Sequence, residues 1–74
     1  MKLNLDKLQT STLVDIVISF ERDAICHPRK ISIVGGAPRT EFQIKNGNAG
    51  DTLGAIADSP HKAWQYAAET LLKI

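Results

Sequence analysis

The chain is poor in cysteine, in net charge and in long apolar runs, and each shortage narrows what it can be. Cys26 is the lone cysteine of 74 residues, so no internal disulfide can staple the fold, and a domain that relies on packing alone is the habit of a reducing compartment. A cytoplasmic location is the expectation. Nine Lys and Arg against eight Asp and Glu leave a net charge of +1, far from the strongly basic balance with which most nucleic-acid binders attract phosphates. A local basic face is still allowed. Met1 to Lys7 alternate apolar and polar or charged side chains and offer no continuous apolar stretch of the kind a signal peptide or membrane span needs. No membrane partner is expected.

Chemical motifs are also lacking. Gly35-Gly36 and Gly50 do not compose a Gly-x-x-x-x-Gly-Lys-Ser/Thr phosphate loop and read as turn residues. Cys26-His27 with His61 is a poor metal set, because adjacent residues seldom both reach one ion. No motif orders Cys26, His61 and an acid into a nucleophilic triad, and a chain this short has little volume for a pocket. A single domain of this length buries only about 60% of the surface its unfolded chain exposes. No catalytic residue, cofactor or metal is therefore expected, and the chain reads as a binding module rather than an enzyme.

What is present is ordinary globular patterning, with 43% hydrophobic and 23% charged residues. Thr10-Ser11-Thr12 supplies capping oxygens, and Leu13, Ile16, Val17, Phe20 and Ala24 follow at helical spacing. A helix over 11–24 is expected, stopped by His27-Pro28 because a residue before proline is pushed out of the α region. Val14, Ile16, Ile18 and Phe20 also fit strand alternation, which β-branched residues favour, so a strand over 13–20 is the competing assignment. Lys30 to Val34 and Arg39 to Lys45 alternate on either side of Gly35-Gly36-Ala37-Pro38 and read as a hairpin with Phe42 and Ile44 on one face. Asn46 to Asp51 is turn chemistry, and Thr52 to Ala57 forms a third strand in which Gly54 implies a bulge or a close backbone approach.

Asp58-Ser59-Pro60 is the sharpest boundary, with Ser59 as N-cap and Pro60 where a missing N–H costs nothing. Ala63, Ala67, Leu71 and Ile74, flanked by Ala68 and Leu72, form the buried stripe of a second helix. The expectation is one α+β domain, α-β-β-β-α, with a three-stranded antiparallel sheet packed on two helices and residues 1–10 as an N-terminal extension.

Over residues 12–74 the chain resembles the double-stranded RNA-binding domain. The likeness is carried by Gly54, Ser59, Ala63, Ala67-Ala68 and Leu71-Leu72, with Pro28, Gly35-Gly36-Ala37-Pro38 and Phe42 also in register. The resemblance implies shape-directed reading of A-form RNA through the first helix, the hairpin loop and lysines at the start of the second helix. Pro60, His61 and Trp64 stand at three of those lysine positions and Lys62 at a variable one. Ile18 and Ser19 fall near the polar minor-groove position of the first helix, and Arg39 remains in the hairpin.

Two functions follow from this. One is weak, salt-sensitive binding of structured RNA or other nucleic acid through Arg39, Ser59, His61 and Lys62. The other is a protein-interaction surface, for a partner protein or a second copy, built on Trp64 and Tyr66, since aromatics are enriched where proteins bind. Ala63, Ala67 and Leu71 already define a buried stripe, so at least one of these aromatics is expected to project outward; the plainer alternative is that Trp64 covers a sheet edge. Lys30, Arg39, Lys45 and Lys62 either converge into one basic patch or decorate a solvated surface.

Overall fold

Ser59 and Pro60 act as the sequence suggests. In the computed structural model, which describes residues 5–32, 34–47, 50 and 52–73 apart from the Asp6 side chain, helix α2 spans Pro60–Leu72. The Lys62 N–H donates to the Ser59 hydroxyl at 3.3 Å, satisfying one of the backbone donors that a helix start leaves without an intrahelical partner. At the far end Lys73 turns left-handed at φ 59°, and its N–H reaches the carbonyls of Glu69 and Thr70, which ends the helix.

Ahead of α2 lie helix α1 (Thr10–Phe20) and strands β1 (Ala24–Ile31), β2 (Arg39–Asn46) and β3 (Thr52–Ala57). The strands form one antiparallel sheet in the order β1-β2-β3. The domain is thus α-β-β-β-α with two helices and a three-stranded antiparallel sheet, and residues 13–20 are helical. The hairpin turn carries Gly35 at φ 80°, in the region that favours glycine; Ile33 lies outside the described residues, as do Asn48, Ala49 and Asp51 of the second turn and Ile74 of the expected stripe.

Several boundaries differ from expectation. Helix α1 ends at Phe20 rather than at residue 24, and Ala24 opens β1 instead. His27-Pro28 does not stop the helix; both residues lie within β1, where Pro28 is paired with Phe42. An edge strand tolerates proline because a missing donor on its outer side breaks no ladder bond. β1 accordingly runs earlier than the expected 30–34. The caps of α1 also differ: Thr10 is the first helical residue, Gln9 is the N-cap, and no side chain caps it. Within the N-terminal extension, Leu5–Lys7 form a single 3-10 turn packed on α2, and Leu5 is 3% exposed.

β3 departs from regular pairing. Ile44 faces Leu53 and Phe42 faces Ala57, so Gly54, Ala55 and Ile56 occupy the span opposite Gln43 alone. Gly54 sits in this bulge at φ 78°, and a Cβ placed there would meet the backbone of Tyr66 and Ala67. Both readings of Gly54, as a bulge and as a close approach, therefore describe one contact: α2 lies directly on β3.

The core forms between α1, α2 and one face of the sheet. Leu13, Val17 and Ile44 are its largest fully buried side chains, and Ala63, Ala67 and Ala68 line α2 without exposed surface. Those alanines let the α2 backbone approach both the sheet and α1. Leu13 and Val17 are one turn apart, which gives α1 its buried stripe; Leu13→Ala is expected to cost about 2–5 kcal/mol, as buried leucine truncations do. Phe20, assigned to the same stripe, overhangs the helix end and is 53% exposed.

Candidate functional site

Both helices begin at the same end of the sheet. β3 ends at Ala57 opposite Phe42, near the start of β2, so α2 springs from the end that carries the hairpin turn. α1 reaches that end too, because Thr10 Oγ1 lies 2.7 Å from His61 Nδ1. From there α1 packs along α2 and leads into Ala24, which is paired with Asn46 at the opposite end of the sheet. The two helices consequently run parallel, with their N-termini beside the β1–β2 hairpin.

This end gathers most of the expected nucleic-acid contacts. Lys62 is exposed on the first turn of α2, which contains no acidic residue, and the positive end of a helix dipole adds to its attraction for an anion. Exposed Asp58 stands just before that turn. His61 is half-buried with Nδ1 engaged by Thr10. The hydroxyl of Ser59 is committed to its cap, so this residue shapes the helix start. Arg39 opens β2 with its side chain 63% exposed and donates to Glu41 Oε1 at 2.9 Å. A surface pair of this kind contributes roughly 0–1 kcal/mol, little enough for a phosphate to displace.

Lys30, Arg39, Lys45 and Lys62 do not converge into a single patch. Lys30 and Arg39 flank the hairpin at the end from which Lys62 projects, whereas Lys45 lies six residues along β2 from Arg39, roughly 20 Å away at strand rise. On α1, Ile18 and Ser19 are exposed, but the Ser19 hydroxyl donates to the Ile16 carbonyl at 2.6 Å.

The expected aromatic surface is corrected. Trp64 is 8% exposed and belongs to the core, because its position on α2 turns it inward beside Ala63, Ala67 and Ala68. Tyr66 is half-buried and packs against the same core. No exposed indole is available to a partner.

The structure also places residues that pattern reading missed. Gln65 is 4% exposed and its Nε2 donates to Glu69 Oε1 at 3.1 Å, and Leu5 joins the core from the N-terminal extension. Nothing in the local sequence distinguishes Gln65 from a surface glutamine. The signal for Leu5 was its apolar spacing with Leu8, which packs partly against the same cluster.

Cys26 and His27 follow one another on β1 and therefore point to opposite sheet faces. Burial raises the Cys26 thiol above its usual range, which keeps it protonated at neutral pH and a weak nucleophile. Among the described residues no group of three or more His, Cys, Asp and Glu is placed to hold a metal. At the end of the sheet opposite the hairpin, a wide depression of about 460 Å³ is lined by Arg22, Asp23, Ala24, Ile25, Asn46 and Gly47. Among the described residues no helix is long and apolar enough to cross a membrane.

Compared with protein families, curated proteins and solved structures, the chain gives no significant match.

Proposed function

We propose that this domain is a small non-catalytic module that binds structured, double-stranded RNA weakly, through phosphate contacts made where the hairpin and the start of α2 meet. The observation that supports this most is the placement of Lys62, on an acid-free helix start, at the same end of the sheet as Lys30 and Arg39. The parallel helices and the α-β-β-β-α order suit the resemblance to the double-stranded RNA-binding domain. The rival reading, a protein-interaction surface centred on Trp64 and Tyr66, loses its main anchor once Trp64 is buried.

With few cations at this end, affinity is low and strongly dependent on salt. Three phosphate contacts correspond to a slope of about −2 to −3 in log K against log salt. The test is an amide-resolved NMR titration with an RNA duplex of about 16 base pairs, the span such domains cover, at low and then raised salt. Salt-reversible shifts at Arg39 and Ser59–Lys62 are expected. A spectrum unmoved at low salt would overturn the assignment and direct the search to protein partners.

A further inference from the structure

Charge is divided between the two layers of this fold. β1 and β2 carry Arg29, Lys30, Arg39 and Lys45 against one acid, Glu41, and β3 has no ionisable side chain. Among the described side chains, the helices and the segments beside them carry Asp15, Glu21, Asp23, Asp58 and Glu69 against Lys7, Arg22, Lys62 and Lys73. A near-neutral chain thus concentrates its positive charge in the sheet layer and leaves the helix layer close to neutral.

The strand register decides which way the cations point. Ile44 and Phe42 turn toward the helices, so Arg39, Glu41, Gln43 and Lys45 of β2 lie on the uncovered face, because successive strand residues alternate. Their partners on β1 are Ile31, Arg29, His27 and Ile25, which share that face. Arg29, Arg39 and Lys45 therefore stand on one surface with His27 between them, and Glu41 is the only carboxylate that β1 and β2 present there. Gln43 accepts from the Thr52 hydroxyl at 3.0 Å, which extends the polar surface onto β3.

We propose that this uncovered sheet face is a second nucleic-acid surface, which holds the phosphate backbone along β2. The proposal rests on the nucleic-acid reading above but assigns part of the binding to the side of the molecule opposite the helices. The cations from Arg39 to Lys45 span roughly 20 Å at strand rise, long enough to engage several successive phosphates. No phenylalanine, tyrosine or tryptophan lies on this face: Phe42 packs toward the core, Phe20 is on α1, and Trp64 and Tyr66 are on α2. With only His27 and the arginine planes left to stack on a base, the face is built chiefly for phosphates, and contacts confined to phosphates bind without regard to sequence.

Neighbouring residues allow a decisive test, since Arg29 and Lys30 are adjacent on β1 but point to opposite faces. Binding of a labelled 16-base-pair RNA duplex, followed by fluorescence anisotropy at low salt, is compared for Arg29→Glu and Lys45→Glu on the sheet face and for Lys30→Glu and Lys62→Glu at the hairpin and helix start. Arg22→Glu and Lys73→Glu, at exposed residues that belong to neither surface, complete the set; all change net charge equally. Arg29→Glu and Lys45→Glu are each expected to weaken binding about tenfold, as are Lys30→Glu and Lys62→Glu, whereas Arg22→Glu and Lys73→Glu are expected to weaken it by less than about threefold. The neutral Arg29→Gln and Lys45→Gln variants, with folding checked by circular dichroism, are expected to give intermediate losses and serve in place of any reversal that does not fold. Equal losses at all six positions would mean that only overall charge matters and would overturn the proposal. Losses confined to Lys30 and Lys62 would also overturn it and leave RNA binding at the helix start standing. Wild-type protein that shows no salt-sensitive binding would remove both assignments.

Discussion

Tyr66 passes over Gly54 so closely that a Cβ on residue 54 would lie 2.6 Å from the Tyr66 carbonyl carbon and 2.6 Å from the Ala67 nitrogen. The obstacle is helix backbone rather than a side chain that could swing aside. Gly54→Ala must also hold a positive φ, which by itself costs on the order of 1–3 kcal/mol. Steric displacement of α2 adds to this. Destabilisation of about 3 kcal/mol or more is expected, enough to unfold much of a domain this small; urea denaturation measures it. A midpoint unchanged by the substitution would mean that α2 is not seated on β3.

Thr10 and His61 join the starts of the two helices across 51 positions of sequence. The bond is exposed, so its net worth is modest, about 0.5–1.5 kcal/mol. Thr10→Val and His61→Ala should each lower stability by that order, and the double variant should lose less than the sum, because the second change removes a partner already gone. Additive losses in a double-mutant cycle would show that the two side chains act independently.

Trp64 is the sole tryptophan, so its fluorescence reports on one place. With 8% of its surface exposed, the indole should emit at short wavelength and resist acrylamide quenching, then shift to the red on unfolding. Trp64→Ala should cost about 3–5 kcal/mol. Ready quenching in the native protein would restore this residue to the surface.

Much of this arrangement is legible in the residues, for identifiable reasons. Pro60, Ser59 and Gly54 carry strong backbone preferences, so α2 begins where its signals stand and the bulge falls at its glycine. Phe42 and Ile44 alternate cleanly, and β2 runs within one residue of its expected end. Failures occur where local signals are shared by two structures. Pro28 suggests a helix stop because proline excludes helix, yet it serves equally well in an edge strand, and sequence neighbours do not reveal which strand is an edge. The alanine stripe alone implies that Trp64 or Tyr66 projects outward and leaves open which, yet Trp64 is buried. α2 is packed by α1 as well as by the sheet, and its buried face is wide enough to include Trp64 and Gln65, a width that no periodicity within α2 discloses. The division of charge between layers was hidden for a similar reason: Arg29, Arg39 and Lys45 become neighbours on a face only after β1 and β2 are paired.

Edge protection yields a further prediction. β1 and β3 are both outer strands, and each is interrupted, β1 by Pro28 and β3 by the bulge at Gly54. Proline and bulges disfavour strand addition by another chain. Pro28→Val restores a backbone donor on β1 and should promote self-association, seen as a rise in average mass with concentration in sedimentation equilibrium. A variant that stays monomeric at all concentrations would show that β1 is protected by something other than its proline.

The dependence of α1 on α2 has a consequence for how the protein is made. α1 packs chiefly on α2, and the whole sheet lies between them in chain order. At typical elongation rates the ribosome takes roughly 2–10 s to travel from the end of α1 to the end of α2. Throughout that interval Leu13 and Val17 have no helix to cover them, and the Leu5 turn has nothing to close upon. The nascent chain must therefore keep a greasy N-terminal segment in waiting, and its folding is completed in one late step when α2 arrives to join the halves.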